Sequence, residues 1–233
     1  TGRVSPAIRN YRNFIERGDA LTAAVESGFE THGFEISRTA AEGLDPRVHL
    51  TIAGGLRDAA YPSDHFDLVI LWHVLEHLPD PQDTLEEVRR ILTPGGRLAL
   101  AVPNFSSLQA RLFGPAWFHL DLPRHLYHFP AGALQRLSIE CGFHVERVDH
   151  LSLRQNPFGW VQSALNAILP ARRNELYSLL KRRANASTGL TGIAHRLAYW
   201  MGMPAAVVAA ALTAVFRSGA TVSMTLRKPT GTA

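Results

Sequence analysis

Cysteine is nearly absent from this sequence. Cys141 stands alone among 233 residues, which excludes an intrachain disulfide framework and any zinc site built from several thiolates. It suits a reducing compartment, and no signal peptide is legible, although the sequence begins at Thr1 rather than methionine. Acidic residues are almost missing from the last third. Residues 151–233 hold ten Lys/Arg against the single Glu175, whereas residues 1–150 hold fourteen against nineteen Asp/Glu. The formal charge of +4 therefore belongs to the tail and says little about any ligand of the first part. A basic, apolar tail suits an anionic membrane surface better than sequence-reading of nucleic acid, and no nucleic-acid partner is expected. Tandem repeats and low-complexity tracts are also lacking. Met201 to Phe216 is uncharged for sixteen residues, short of the roughly 20 that a spanning helix needs. A core helix is its default reading; a helix on a membrane, a packing hairpin and a homodimer face are the alternatives.

What is present centres on FDLVILWHVLEHLPDP, Phe66 to Pro81. Its apolar start reads as a strand buried on both faces, followed at once by Trp72, His73, Glu76 and His77. Ligands of open α/β sheets lie beyond the carboxyl ends of such strands, so this stretch is expected to form one wall of an active site. Upstream, residues 1–17 contain no convincing strand, and Ser5-Pro6 is read as a helix start with Ile8, Tyr11, Phe14 and Ile15 on its face. Asp19 to Ser27 reads as a helix closed by Gly28. The segment THGFEIS then ends a strand at Glu35, Ile36 and Ser37. A carboxylate there can accept both hydroxyls of a ribose, or it can be a solvated strand end.

Arg38 to Leu44 reads as a short helix and Val48 to Ile52 as a strand. The Ala53-Gly54-Gly55 turn leads into Leu56, where glycine would let the backbone approach a planar ligand or simply turn. Thr84 to Leu92 is a helix that Thr93-Pro94-Gly95-Gly96 ends in a tight turn, and Arg97 to Val102 is a further strand. Phe105 to Phe129 is dense in aromatics and histidines and reads equally as a binding loop or as a satellite core. Pro130 to Cys141 is a helix and Phe143 to Val148 a strand. Val161 to Leu169 and Ala171 to Arg183 are helical, and Thr221 to Arg227 alternates as a last strand. The fold class is α/β, with residues 1–150 as a core, 151–220 as a basic and apolar insertion, and 221–233 returning to the core.

From Gly18 to Val148 the sequence resembles the class I S-adenosylmethionine-dependent methyltransferases, in the small-molecule branch common in bacteria. Glu35 falls on the acidic end of that family's second strand. EHLPDP, Glu76 to Pro81, and the glycine turn Pro94 to Gly96 fall on two further markers, and Val102 to Phe129 resembles a loop of members near glycan and lipid biosynthesis. The resemblance implies a Rossmann-like doubly wound sheet, mostly parallel with an antiparallel last strand, and a helical insertion before that strand. It implies S-adenosylmethionine as cofactor, bound by Gly18, Glu35, Ile36, Gly55, Leu56 and Trp72. His77 is the first candidate base, with His73 second and Glu76 beside them. In ubiquinone-pathway members the matching segment holds a metal. His73, Glu76 and His77 could bind zinc if the two imidazoles share a helical turn, though no metal is the leading expectation. His119, Arg124, His125 and His128 are the candidates for acceptor binding, Arg124 for an anionic group.

One departure stands against these matches. Arg12, Phe14 and Glu16 occupy the positions of the family's first acidic and glycine motif, and only Gly18 remains. The expected function is methyl transfer, at oxygen, to a small-molecule, glycan or lipid-linked acceptor, in the cytoplasm or at the inner face of its membrane. The alternative is a non-catalytic methyltransferase-like protein that touches a membrane or a partner, and a nicotinamide-dependent oxidoreductase ranks below both.

Overall fold

The computed structural model describes residues 3–8, 19–36, 44–181 and 189–231. Seven strands form one sheet in the order β3-β2-β1-β4-β5-β7-β6. They are β1 (Arg3–Ile8), β2 (Glu30–Glu35), β3 (His49–Ile52), β4 (Phe66–Trp72), β5 (Leu92–Pro103), β6 (His144–Asp149) and β7 (Thr221–Arg227). β1 pairs in parallel with β2 and β4, β2 with β3, and β4 with β5. β7 runs the other way, because Gly95 N–H donates to Lys228 O while Asn104 N–H donates to Ala220 O. The helical insertion expected before the last strand is present as α5 (Asn156–Ile168), α6 (Glu175–Leu180) and α7 (Gly189–Val215).

The first strand corrects the sequence reading, which gave residues 1–17 no strand and began a helix at Ser5-Pro6. Proline has no N–H and disfavours a central strand. Here both ladders of β1 break between Val4 and Ala7 and resume beyond Pro6. Pairing on both sides thus overrides the local signal. Arg12, Phe14, Glu16 and Gly18, and nearly all of the helix expected from Arg38 to Leu44, lie outside the described residues.

Contacts divide the chain into two compact units. The first contains Thr1–Val102, Gly132–Val148 and Ser223–Ala233. Its core follows from the apolar runs: Phe66, Val69 and Leu71 of β4 and Leu98 and Leu100 of β5 are fully buried. α2 (Pro81–Ile91) adds Leu85, Val88 and Ile91, spaced to share one face. Asp80 caps it by accepting from Asp83 N–H at 2.9 Å, and Pro81 occupies the first turn, where its missing N–H costs nothing. The Pro94-Gly95-Gly96 segment lies within β5 rather than closing α2. It shifts the register from Phe66↔Leu92 to Leu68↔Arg97, with Gly95 at φ +82°.

α2 also carries a charge that sequence periodicity would put in solvent. Glu87 is 2% exposed. It accepts from Arg90 at 2.6 and 2.9 Å and from Arg57 at 3.2 Å. Arg90 in turn donates to Tyr61 O and Ser63 Oγ. Arg90→Ala would remove two of the three hydrogen bonds given to that carboxylate and leave it buried with Arg57. We expect a loss of about 2–3 kcal/mol, below the full cost of breaking a buried pair because Arg90 is partly exposed, read from the urea midpoint.

The second unit contains Pro103–Ala131 and Asp149–Val222. Val161, Leu176 and Ala206 form the centre of its helical core, with Phe158, Tyr199 and Met203 packed against them. The aromatic segment 105–129 folds into α3 (Leu108–Phe113) and two one-turn 3-10 helices. Trp117 and Phe118 are buried, and Phe118 meets Phe158 and Tyr177 with ring centroids 5.1 and 5.5 Å apart. The aromatics therefore build a satellite core.

α7 overturns the reading of its sequence. The apolar stretch continues N-terminally through Leu197 into one 27-residue helix, long and apolar enough by composition to cross a membrane. Only 17% of its most apolar window is buried, so the core-helix default fails as well.

Candidate active site

The strand order places the site. β1 lies between β2, which leads to β3, and β4, which leads to β5. The carboxyl ends of β1 and β4 therefore flank a topological switch point, where an open parallel sheet leaves a crevice for a ligand. Glu35 ends β2 and pairs in register with Ile52, and Ala53 N–H donates to Glu35 O at 3.2 Å. Its side chain is 3% exposed, while the following Ile36 is 43% exposed. Beyond β3, Gly54 and Gly55 lie against Asp58: a Cβ added to either would come within 3.3 Å of its Oδ2, so the neighbouring carboxylate would have to give way. Leu56 is buried behind them.

On the other side of the switch, β4 continues one residue past Trp72 through His73 N–H, which donates to Ala101 O at 2.8 Å. His73 then turns the chain at φ +54°, a left-handed conformation that costs a non-glycine residue about 1 kcal/mol or more. The turn brings Leu75 to His77 into a single 3-10 turn, with Val74 and Leu75 in the core. Glu76 is 1% exposed and its Oε1 lies 3.2 Å from His73 Nδ1. The other ring nitrogen, Nε2, is buried with no hydrogen-bond partner among the described residues. An orphaned nitrogen on a left-handed residue at the end of β4 makes His73 a candidate for chemistry. His73 and His77 do not lie on one helical turn, because His73 is left-handed and the helix is a 3-10 turn starting at Leu75; the spacing argument for a zinc set therefore fails.

The residues present fit a nucleoside thioether cofactor: a buried carboxylate for a ribose diol, a glycine turn, and the apolar Ile36 and Leu56 for a base. Residues 16–148 match the protein family described as "Methyltransferase domain". The chain belongs to the class I S-adenosylmethionine-dependent methyltransferase family. Among curated relatives, a methyltransferase from Streptomyces halstedii, GfsG, is 38% identical over 64 residues, 28% of this chain and 23% of that protein. The ubiquinone biosynthesis O-methyltransferase of Xanthomonas oryzae pv. oryzae is 33% identical over 73 residues, 30% of each chain. The chain thus matches less than a third of the length of these relatives. A solved S-adenosylmethionine-dependent methyltransferase from Archaeoglobus fulgidus superposes with TM-score 0.57 at 16% identity, covering 97% of this chain and 86% of that one. The cyclase SpnF superposes equally well, with TM-score 0.57 at 21% identity over 99% of this chain and 76% of its own. The last two show the fold alone.

Within the methyltransferase fold the remaining candidates separate by unit. His77 is half-buried one residue beyond Glu76, its N–H bonded to Val74 O. His119, Arg124, His125 and His128 all belong to the second unit, in the segment that contains the 3-10 turn Phe118–Leu120 and a left-handed Asp121 (φ +37°). His125 Nδ1 lies 2.8 Å from His119 O, and His128 Nε2 lies 2.9 Å from Leu120 O. Arg124 pairs with Asp121, so an anion arriving there competes with an existing carboxylate. Asn104, overlooked in the sequence, is fully buried beyond β5; it donates to Gly219 O and accepts from Ser106 and Ala131. Its only sequence signal is the Pro103-Asn104 strand end.

Proposed function

We propose that this protein methylates an oxygen of a small-molecule, glycan or lipid-linked acceptor, in the cytoplasm or at the inner face of the membrane. The observation that carries the reading is the His73–Glu76 pair at the end of β4. When bound, S-adenosylmethionine supplies an electrophilic methyl group on a sulfonium. Glu35 is assigned to the ribose hydroxyls, Ile36, Gly55 and Leu56 to the adenosine, and Trp72 to the crevice wall; Gly18 follows from family resemblance. His73 Nε2 takes the proton of the acceptor hydroxyl, while Glu76 holds the ring in the tautomer that leaves this nitrogen free to do so. This arrangement puts His73 ahead of His77 as base. His119, Arg124, His125 and His128 are proposed to recognise the acceptor, supported by the contacts of His125 Nδ1 with His119 O and of His128 Nε2 with Leu120 O that tie the segment together.

Arg12, Phe14 and Glu16 support a second reading, a methyltransferase-like protein without catalysis, because Arg12 replaces the acid of the family motif and Phe14 and Glu16 replace its glycines. Calorimetric titration with S-adenosylhomocysteine separates the two. The first reading expects micromolar binding that Glu35→Ala weakens about ten- to a hundredfold, the worth of hydrogen bonds to a charged acceptor. Well-folded protein that takes up no ligand would establish the second.

A further inference from the structure

Surface helices of soluble proteins turn a polar stripe to water. α7 does the opposite. Its covered positions recur every three to four residues, buried at Gly192, His195, Ala206, Ala210 and Thr213 and half-buried at Tyr199 and Met203 between them, and this stripe packs on α5 and α6. The opposite side carries Leu190, Leu197, Trp200, Met201, Val208 and Val215, with Trp200 72%, Met201 80% and Val215 77% exposed. From Leu197 to Val215 no exposed residue is charged, and the Trp200 indole is the sole hydrogen-bonding side chain among them. At 1.5 Å per residue the helix is about 40 Å long. Such a continuous apolar ridge marks a surface that is covered in the working protein.

We propose that α7 lies flat on an anionic phospholipid bilayer and docks this protein there through its outward face. Three observations select lipid over a second copy of the chain. The unit that contains α7 holds ten Lys/Arg against three Asp/Glu, so two copies would bring like charge together, whereas an anionic leaflet is complementary. Protein interfaces carry about one hydrogen bond per 100–200 Å², and this face offers almost nothing to make them. Exposed cations accompany the helix in sequence: Arg172 and Arg173 between α5 and α6, Arg196 on α7, and Arg217 just past its end. The helix lies in the interface and does not cross it. A spanning α7 would have to leave α5 and α6 and expose Val161, Leu176 and the buried His195.

Flotation of the full chain with vesicles tests this without any catalytic readout, so it stands or falls apart from the cofactor titration. Vesicles of phosphatidylcholine with about one-third phosphatidylglycerol should carry the protein upward, and phosphatidylcholine alone should carry much less. Val208→Glu, at an exposed position, should weaken binding about tenfold or more while the circular dichroism spectrum is retained. Arg172→Glu with Arg173→Glu should remove the preference for phosphatidylglycerol. Protein that remains at the bottom of both gradients overturns the proposal. A dimer in light scattering that Val208→Glu splits, with no vesicle binding, also overturns it and assigns the face to a second copy.

Discussion

His73→Gly and His73→Ala are both expected to lower turnover by about 10²–10⁴-fold, the usual contribution of a positioned base. Their difference isolates the backbone. His73 stands at φ +54°, where glycine is at ease and alanine is not, so the alanine variant should be less stable by about 1 kcal/mol. Both should lie below wild type, because each deprives the buried Glu76 of its His73 partner at 3.2 Å. Glu76→Gln would keep the volume and replace the carboxylate proposed to fix the tautomer. Its turnover should fall about 10²-fold, and the pH profile should change shape where a purely structural role would leave it alone. Wild-type turnover in His73→Gly would remove this residue as the base and return His77 to first place.

Gly219→Ala is expected to cost about 3 kcal/mol or more, read as a fall in the thermal and urea midpoints. An added Cβ would lie 1.9 Å from His150 O and 2.9 Å from its carbonyl carbon. Real Cβ atoms essentially never come within 3.0 Å of a heavy atom, so backbone has to move. Neither side is free to do so. His150 O is held by Asn156 Nδ2 at 2.9 Å, and Gly219 O by Asn104 Nδ2 at 2.9 Å. Two residues on, Thr221 Oγ1 donates to Gln155 Oε1 at 3.0 Å and fixes the start of β7. Gly132→Ala serves as the contrast. Its Cβ in α4 (Ala131–Glu140) would meet only Arg136, at 3.8 Å, so helix propensity should stabilise it by up to about 1 kcal/mol. Equal effects of the two substitutions would refute the steric account.

The sequence by itself determined the α/β class, the positions of β2, β3, β4, β6 and β7, and the insertion before the last strand. Buried strands such as Phe66–Trp72 need apolar side chains on both faces, and caps such as Asp80-Pro81 act within one turn of chain, so both leave local traces. It also determined the Glu35 and Trp72–His77 candidates, since parallel strands present their carboxyl ends to one edge. Tertiary structure alone decided the rest. β1 forms around Pro6 because two neighbours pair with it, and Glu87 is buried because Arg90 and Arg57 reach it across space. The proposal of His73 ahead of His77 rests on a left-handed backbone at His73, which no spacing rule announces. Hydropathy could name α7 as apolar, but only packing against α5 and α6 showed which half of it is left uncovered. Apolar composition has no direction until neighbouring helices claim one face.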